Sequence, residues 1–205
     1  MSEKMKERIV NASIALFNEK GSHSITTNHI IDYLGSSPGT CYYHFRNKEE
    51  NVRKIFSRIK GDFGAVLEAA EEESTLEGLI GKLKAMFRLY SRYSFFYREI
   101  TSLLDRDGLL ESEYRSNYAD KSGMMKNLFR LMEDKGILVK WFSSVPEIDS
   151  VIDSLWILCD FWTSFLGASG RLTDKAVESG YKNYLCFLRP YLEKSALEKA
   201  DSCFS

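Results

Sequence analysis

The chain of 205 residues is 44% hydrophobic and 28% charged, which suits a folded chain with a sizeable core and argues against a disordered one. No apolar run reaches the roughly 18 residues that a membrane-spanning helix needs, and the charged start, Met1-Ser-Glu-Lys-Met-Lys-Glu-Arg8, lacks the apolar stretch of a secretory signal. The formal net charge of −1 hides an asymmetry: residues 1–60 hold ten Lys/Arg against six Asp/Glu and the remainder eighteen against twenty-three, so a polyanion would be met at one end only.

The pattern is helical almost throughout, and all-α is the expected class. Segment 3–20 places Ile9, Ala12, Leu16 and Phe17 on one face and stops at Gly21. A short helix over about 27–34, capped by Thr26, ends at Gly35, and another follows over about 38–44 behind Ser37. Asn47-Lys-Glu-Glu50 reads as a capping box that opens a long helix to about residue 72; Ser74-Thr-Leu-Glu77 opens another, to about 92. A short helix at about 95–105 and a long one over 108–135, stopped by Gly136, come next. After a loop with Trp141 and Phe142, Ser144-Val-Pro-Glu147 opens a helix to about 168, and Thr173-Asp174 opens the last, to about 193. About nine helices result. No stretch alternates with period two for long enough to require a strand.

The sharpest chemistry lies in residues 24–50, two short helices joined by a tight turn. A second helix with small and hydroxyl-bearing residues at its start and aromatics one turn later is what a helix-turn-helix places in the major groove of DNA. Thr27 and Thr40 sit at or near helix N-termini, where backbone N–H groups and hydroxyls bind phosphate oxygens. Tyr42, His44 and Lys48 supply further phosphate donors, although His44 also reads as a packing histidine. Asn28, Ser37, Pro38 and Gly39 lie at the leading ends of the two helices, where small side chains let the backbone approach base edges and Asn28 can read one directly. Tyr43 is expected to lie across sugar and phosphate.

Thr40-x-Tyr42-Tyr43-His44-Phe45-x-x-Lys48-Glu49 resembles the signature of the TetR family of bacterial transcriptional repressors, with Thr27, Ile30 and Leu34-Gly35 also in place. The likeness covers about residues 9–56. A weaker one, in Phe95-Phe-Tyr-Arg-Glu-Ile-x-x-Leu-Leu-x-Arg-Asp107 and Trp156-x-x-x-x-Phe161-Trp162-x-x-Phe165, extends to one branch of the family whose effectors are largely unassigned. The resemblance implies an all-helical homodimer, with a three-helix helix-turn-helix head over 1–47 and a larger ligand-binding and dimerisation body over 48–205. It matches Thr27, Thr40, Tyr42, Tyr43, His44 and Lys48 to positions that touch DNA, and Asn28, Ser37 and Gly39 to variable positions that set sequence preference. Cys41 and Ile31 depart from the usual aliphatic residue and alanine; Cys41 reads as a small buried filler or as a redox switch.

In the body, Phe87, Tyr90, Phe96, Tyr118 and Trp156 are candidates for an apolar ligand cavity, although each reads equally as plain core. Asp160 and Thr163, on the helical side of Trp156, could orient a ligand, or Asp160 could satisfy a tyrosine hydroxyl or an arginine. Helix 147–168 is apolar nearly all round and so is buried on more than one face. Phe161 and Phe165 from it, with Val177, Gly180, Tyr181, Tyr184 and Leu188 from the last helix, form a candidate dimer interface or fill one monomeric core.

The expected function is a ligand-responsive regulator, most simply a repressor that binds a palindromic operator in duplex DNA as a homodimer and is released by a small, largely apolar, neutral or cationic effector. An activator would use the same head. A helical enzyme or an interaction module without DNA binding is the reading from another class. Against an enzyme, all three histidines (His23, His29, His44) fall in the first 44 residues, leaving the body none for a catalytic triad or an imidazole metal site. No cofactor motif, metal site or membrane partner is expected. Cys41, Cys159, Cys186 and Cys203 are widely spaced, as reduced thiols of a cytoplasmic protein are.

Overall fold

The computed structural model describes residues 2–37, 45–73, 75–144 and 146–201. Helix α1 (Ser2–Lys20) buries Ile9, Val10 and Phe17, and ends where Gly21, at φ 79°, donates its N–H to the Phe17 carbonyl. Helix α2 (Thr27–Leu34) begins with a reciprocal cap: the His29 N–H donates to Thr26 Oγ1 and the Thr26 N–H to His29 Nδ1. It stops at Gly35, φ 58°, a left-handed turn that lets the Ser36 N–H reach back to the Ile31 carbonyl at 3.2 Å. A Cβ at Gly35 would touch nothing, so backbone conformation and not space selects glycine there.

Helix α3 (Lys48–Glu71) links the head to the body. Asn47 caps it by accepting the Glu50 N–H at 2.8 Å, and Glu50 in turn accepts the Arg46 N–H. Buried Val52, Ile55, Phe56, Ile59, Phe63 and Leu67 recur at three- and four-residue intervals along it, so one continuous stripe packs first on α1 and then on the body. Helix α4 (Leu76–Arg92) runs beside it, capped by Thr75.

The next expected helix is divided into α5 (Ser94–Arg98) and α6 (Ile100–Arg106) at Glu99. Helix α7 (Gly108–Asp134) follows, with Asp107 accepting the Leu109 and Leu110 N–H groups. The apolar helix expected over 147–168 is also divided: α8 (Ile148–Asp160) and α9 (Trp162–Ala168) meet at Phe161 with a 49° bend. The last expected helix separates into α10 (Asp174–Glu178), α11 (Tyr181–Leu188) and a 3-10 turn at Arg189–Tyr191, and a further helix that was not expected, α12 (Lys194–Asp201), follows it. Among the described residues no strand forms, beyond one isolated bridge between Leu138 and Leu192.

The core is densely aromatic. Phe56 stacks on Phe96 at 5.2 Å between ring centres, and Phe17 meets Phe95 edge-on at 5.0 Å. All four rings are essentially out of solvent, and burial of each is worth about 1.5–3 kcal/mol. Because Phe17 belongs to α1 while Phe95 and Phe96 belong to α5, one cluster binds the start of the chain to the body.

Candidate nucleic-acid interface and enclosed cavity

Of the residues expected to touch DNA, Pro38, Gly39, Thr40, Tyr42, Tyr43 and His44 lie outside the described residues, as does Cys41. Of the others, Thr27 is the first residue of α2 and Asn28, beside it, is exposed at the positive end of that helix. Ser37 is exposed beyond the Gly35 turn. Thr27 and Lys48 line one small crevice together with Asn47, so α2 and the start of α3 bring these two candidates together. Lys48, expected as a phosphate donor, is half-exposed, and its Nζ donates one hydrogen bond to the Ser22 carbonyl at 2.8 Å. The carbonyl lies in the tight loop between α1 and α2, where it lacks a helical partner and a nearby ammonium satisfies it.

Ser22 is the centre of a junction that sequence reasoning missed. Its N–H donates to Glu99 Oε1 at 2.9 Å and its hydroxyl to Glu99 Oε2. Asn18, one turn before, accepts the Phe95 N–H at 2.9 Å and donates to the Arg92 carbonyl at 2.8 Å. Arg98 donates to the Asn18 carbonyl at 2.8 Å. Arg53 of α3 donates to the Asp107 carboxylate. The α1–α2 end is thus held to the end of α4, to α5 and to Glu99, mostly by bonds that involve backbone groups, while α3 is tied to the start of α7 by an ion pair. The only sequence signal for this was polar residues (Asn18, Ser22) next to a helix stop at Gly21.

The body encloses a cavity of about 60 Å³ between α3, α4, α5, α7, α8 and α11. Tyr90 and Trp156 line it, as expected, and so does Asp160. Asp160 is only 3% exposed. Its Oδ1 accepts from Tyr90 Oη at 2.8 Å and its Oδ2 from Tyr114 Oη at 2.6 Å, while Trp156 Nε1 donates to Tyr114 Oη at 2.9 Å. Burial pushes this carboxyl up to about 6, against hydrogen bonds from Tyr114, Tyr90 and Trp156 that hold it down. Burial and the Asp160 charge raise the Tyr90 and Tyr114 hydroxyls, and burial raises the Cys159 thiol well above its ordinary value, leaving it protonated. A second space of about 60 Å³ adjoins the first; the two share Leu67, Met86, Met125 and Tyr184. Aliphatic side chains and Phe129 line it almost entirely.

Four expected cavity residues lie elsewhere. Phe87 is fully enclosed core beside Gly180, and Phe96 is spent on its stack with Phe56. Tyr118 sits at the outside, donating to the Asp153 carboxylate and meeting the Trp156 ring edge-on. Thr163 is buried away from the cavity because the bend at Phe161 breaks its helical register with Asp160.

The candidate dimer surface is also revised. Val177, Gly180, Tyr184 and Leu188 face the chain's own core. A Cβ on Gly180 would come within 2.3 Å of Phe87 and 2.6 Å of Trp162, so the close approach that glycine permits is internal. Tyr181 is half-buried under the Lys84 ammonium. Phe161 and Phe165 do stay exposed, at 39% and 49%, with Ile157 at 59% on the same row.

A small capped-helix head feeding one long helix into a helical body with an enclosed space defines an all-α regulator of the helix-turn-helix class. The sequence matches the family profile described as "Bacterial regulatory proteins, tetR family" over residues 9–53 and that described as "Bacterial transcriptional repressor" over residues 60–200. The chain belongs to the TetR family. A TetR-family transcriptional regulator from Marinobacter aquaeolei has the same fold at a TM-score of 0.84, with 30% identity over 97% of this chain and 96% of that one. The negative transcriptional regulator IcaR of the biofilm operon icaADBC in Staphylococcus epidermidis is 31% identical over 100 residues, 48% of this chain and 54% of IcaR. The match therefore spans about half the length of that relative. A transcriptional regulator from Saccharomonospora viridis, solved in complex with choline, shares the fold at a TM-score of 0.72 and 14% identity, covering 94% of this chain and 100% of that one.

Proposed function

We propose that this protein is a ligand-responsive transcriptional repressor that binds a palindromic operator as a homodimer and is released by a small, largely apolar effector. The observation that carries this reading is the continuity of α3. Its first residue, Lys48, touches the loop that leads into α2, and Phe56, Ile59, Phe63 and Leu67 of the same helix wall the cavity. A ligand that widens the cavity must move this wall, and the head moves with it because α3 is one rigid element. The effector changes DNA affinity only by as much as it prefers the displaced state.

Several features support the remaining parts. Family membership supports a head that binds duplex DNA in the bacterial cytoplasm. No single helix among the described residues is long and apolar enough to cross a membrane; α8 and α9 together pass by composition but are bent apart. Ile157, Phe161 and Phe165 make an apolar row that a second copy of the chain would cover, and two heads would then meet half-sites about 34–36 Å apart. The choline complex of the S. viridis protein supports the idea that a body of this shape can take a small molecule.

The test is a fluorescence-anisotropy titration of the full chain with the inverted repeat upstream of its own gene. We expect two chains per site and an affinity that falls steeply between 50 and 200 mM salt, as phosphate contacts require. Absent or salt-insensitive binding removes the repressor reading.

A further inference from the structure

We propose that the cavity takes a monocationic amphiphile, its ammonium held beside Asp160 and the rings of Tyr90, Tyr114 and Trp156, and its alkyl part in the adjoining methionine-lined space. The regulatory meaning of this assignment rests on the repressor reading above; the binding itself does not.

Asp160 is the one carboxylate among the residues lining the two connected spaces. Its hydrogen-bond partners are neutral tyrosine hydroxyls, and among the described residues it has no ion-pair partner. The chain deals differently with its other buried carboxylates. Asp107 caps α7 and receives Arg53; Glu133 takes the Ser143 N–H and hydroxyl and so ties a loop. Both are used by the fold. A carboxylate kept in an aromatic pocket without a cation is instead an unfilled half of an ion pair.

The surroundings fit a soft cation. Tyr90 lies 4.4 Å from Tyr97 and 4.9 Å from Phe63 between ring centres, and Tyr114 lies 6.3 Å from Trp156. These rings pack on one another, and those of Tyr90, Tyr97, Tyr114 and Trp156 also line the space beside Asp160, where a ring face within about 6 Å attracts an ammonium with alkyl substituents. Two lysines also line the space, and both are only half-buried: Lys60 is neutralised by Glu113 at 3.0 Å, and Lys121 lies on α7 near Gly64. An anionic head would avoid Asp160 only by staying at these two lysines, leaving the buried carboxylate without a partner. The second space adds no acidic group and one basic residue, Lys82, while Met86, Met125 and Met132 can change shape without breaking packing. Such adaptability is needed, because neither space is large enough at rest for more than a few atoms.

The experiment follows tryptophan fluorescence and heat of binding of the full-length protein at pH 7.5. The probes are octyltrimethylammonium, 1-octanol and octanoate, each below its micellar concentration. We expect octyltrimethylammonium to bind at least tenfold tighter than octanol and octanoate to bind weakest. Shortening the cation to hexyl should weaken it about fourfold per methylene. Asp160→Asn should lose at least thirtyfold for the cation and stay within threefold for octanol, which also reports that the variant is folded. Tyr114→Phe should lose a smaller factor for the cation. Octanol or octanoate equalling the cation, or Asp160→Asn binding it as the parent does, overturns the assignment. Operator anisotropy run alongside separates the two readings. Cation binding without DNA binding removes the repressor and leaves the ligand class; DNA binding without cation binding removes the ligand class alone.

Discussion

The junction between head and body and the cavity inside the body use polar groups in opposite ways. At the junction, Asn18, Ser22, Arg98 and Glu99 bond chiefly to backbone N–H and carbonyl groups left over at helix ends, with the Ser22 hydroxyl on Glu99 besides, so most of the bonds there relieve a cost that the fold already carries. In the cavity, Asp160 is brought out of water among rings with only tyrosine hydroxyls to compensate, which adds a cost. Groups that relieve strain explain architecture; a group that adds it points to binding.

Four variants probe that contrast, in order of the size of the effect. Phe56→Ala removes the ring that both stacks on Phe96 and walls the cavity. It should cost about 3–5 kcal/mol in urea denaturation, and a loss below about 1 kcal/mol would mean that the α3–α5 cluster does not bind head to body. Glu99→Ala leaves the Ser22 N–H and hydroxyl without their acceptor. A loss of about 2 kcal/mol is expected by the same measurement, together with weaker operator binding in anisotropy as the α1–α2 loop loosens.

Asp160→Asn should act in the other direction. The carboxyl titrates near 6 in the folded chain against 3.8 when free, so between these values the folded state holds the extra proton and stability falls as pH rises. Removing the charge should therefore stabilise by about 2 kcal/mol at pH 8, and the gain should vanish by about pH 3.5. Thermal melts of parent and variant across that range check it; a variant less stable than the parent at pH 8 would make Asp160 part of the architecture after all. The double variant Phe161→Glu, Phe165→Glu should change chain stability by no more than about 0.5 kcal/mol, since both rings are exposed. In sedimentation velocity the parent should run as the proposed homodimer and the double variant as a monomer.

Local signals marked most of the helices. Thr26, Asn47, Thr75, Asp107 and Thr173 all cap helices through their side chains, and Gly21, Gly35 and Gly136 end them with positive φ. These effects act within four residues and leave their mark in composition. The breaks at Glu99 and Phe161 left none; at Glu99 the side chain is held by Ser22, 77 positions away. The candidate site was legible to the same degree. Asp160 was found because a carboxylate on an apolar helix is conspicuous, whereas Tyr90 and Trp156 were named only as members of an aromatic set. Phe87 and Phe96 were misplaced because an aromatic residue looks the same in sequence whether it lines a space or fills one.

By itself the sequence settled the helical class and the head's capped turns, since caps, glycine stops and 3.6-residue periodicity are short-range and redundant. It also marked the Thr40–Glu49 motif, whose family likeness a match over residues 9–53 upholds. Only the tertiary structure decided which faces look inward. It turned Gly180, Tyr184 and Leu188 toward the chain's own core, left Phe161 and Phe165 outside, and placed Lys48 on Ser22. A helix that is apolar on two sides carries no mark of which side meets its own chain. That choice depends on the sum of many weak contacts between residues far apart in the chain, and no single residue holds it.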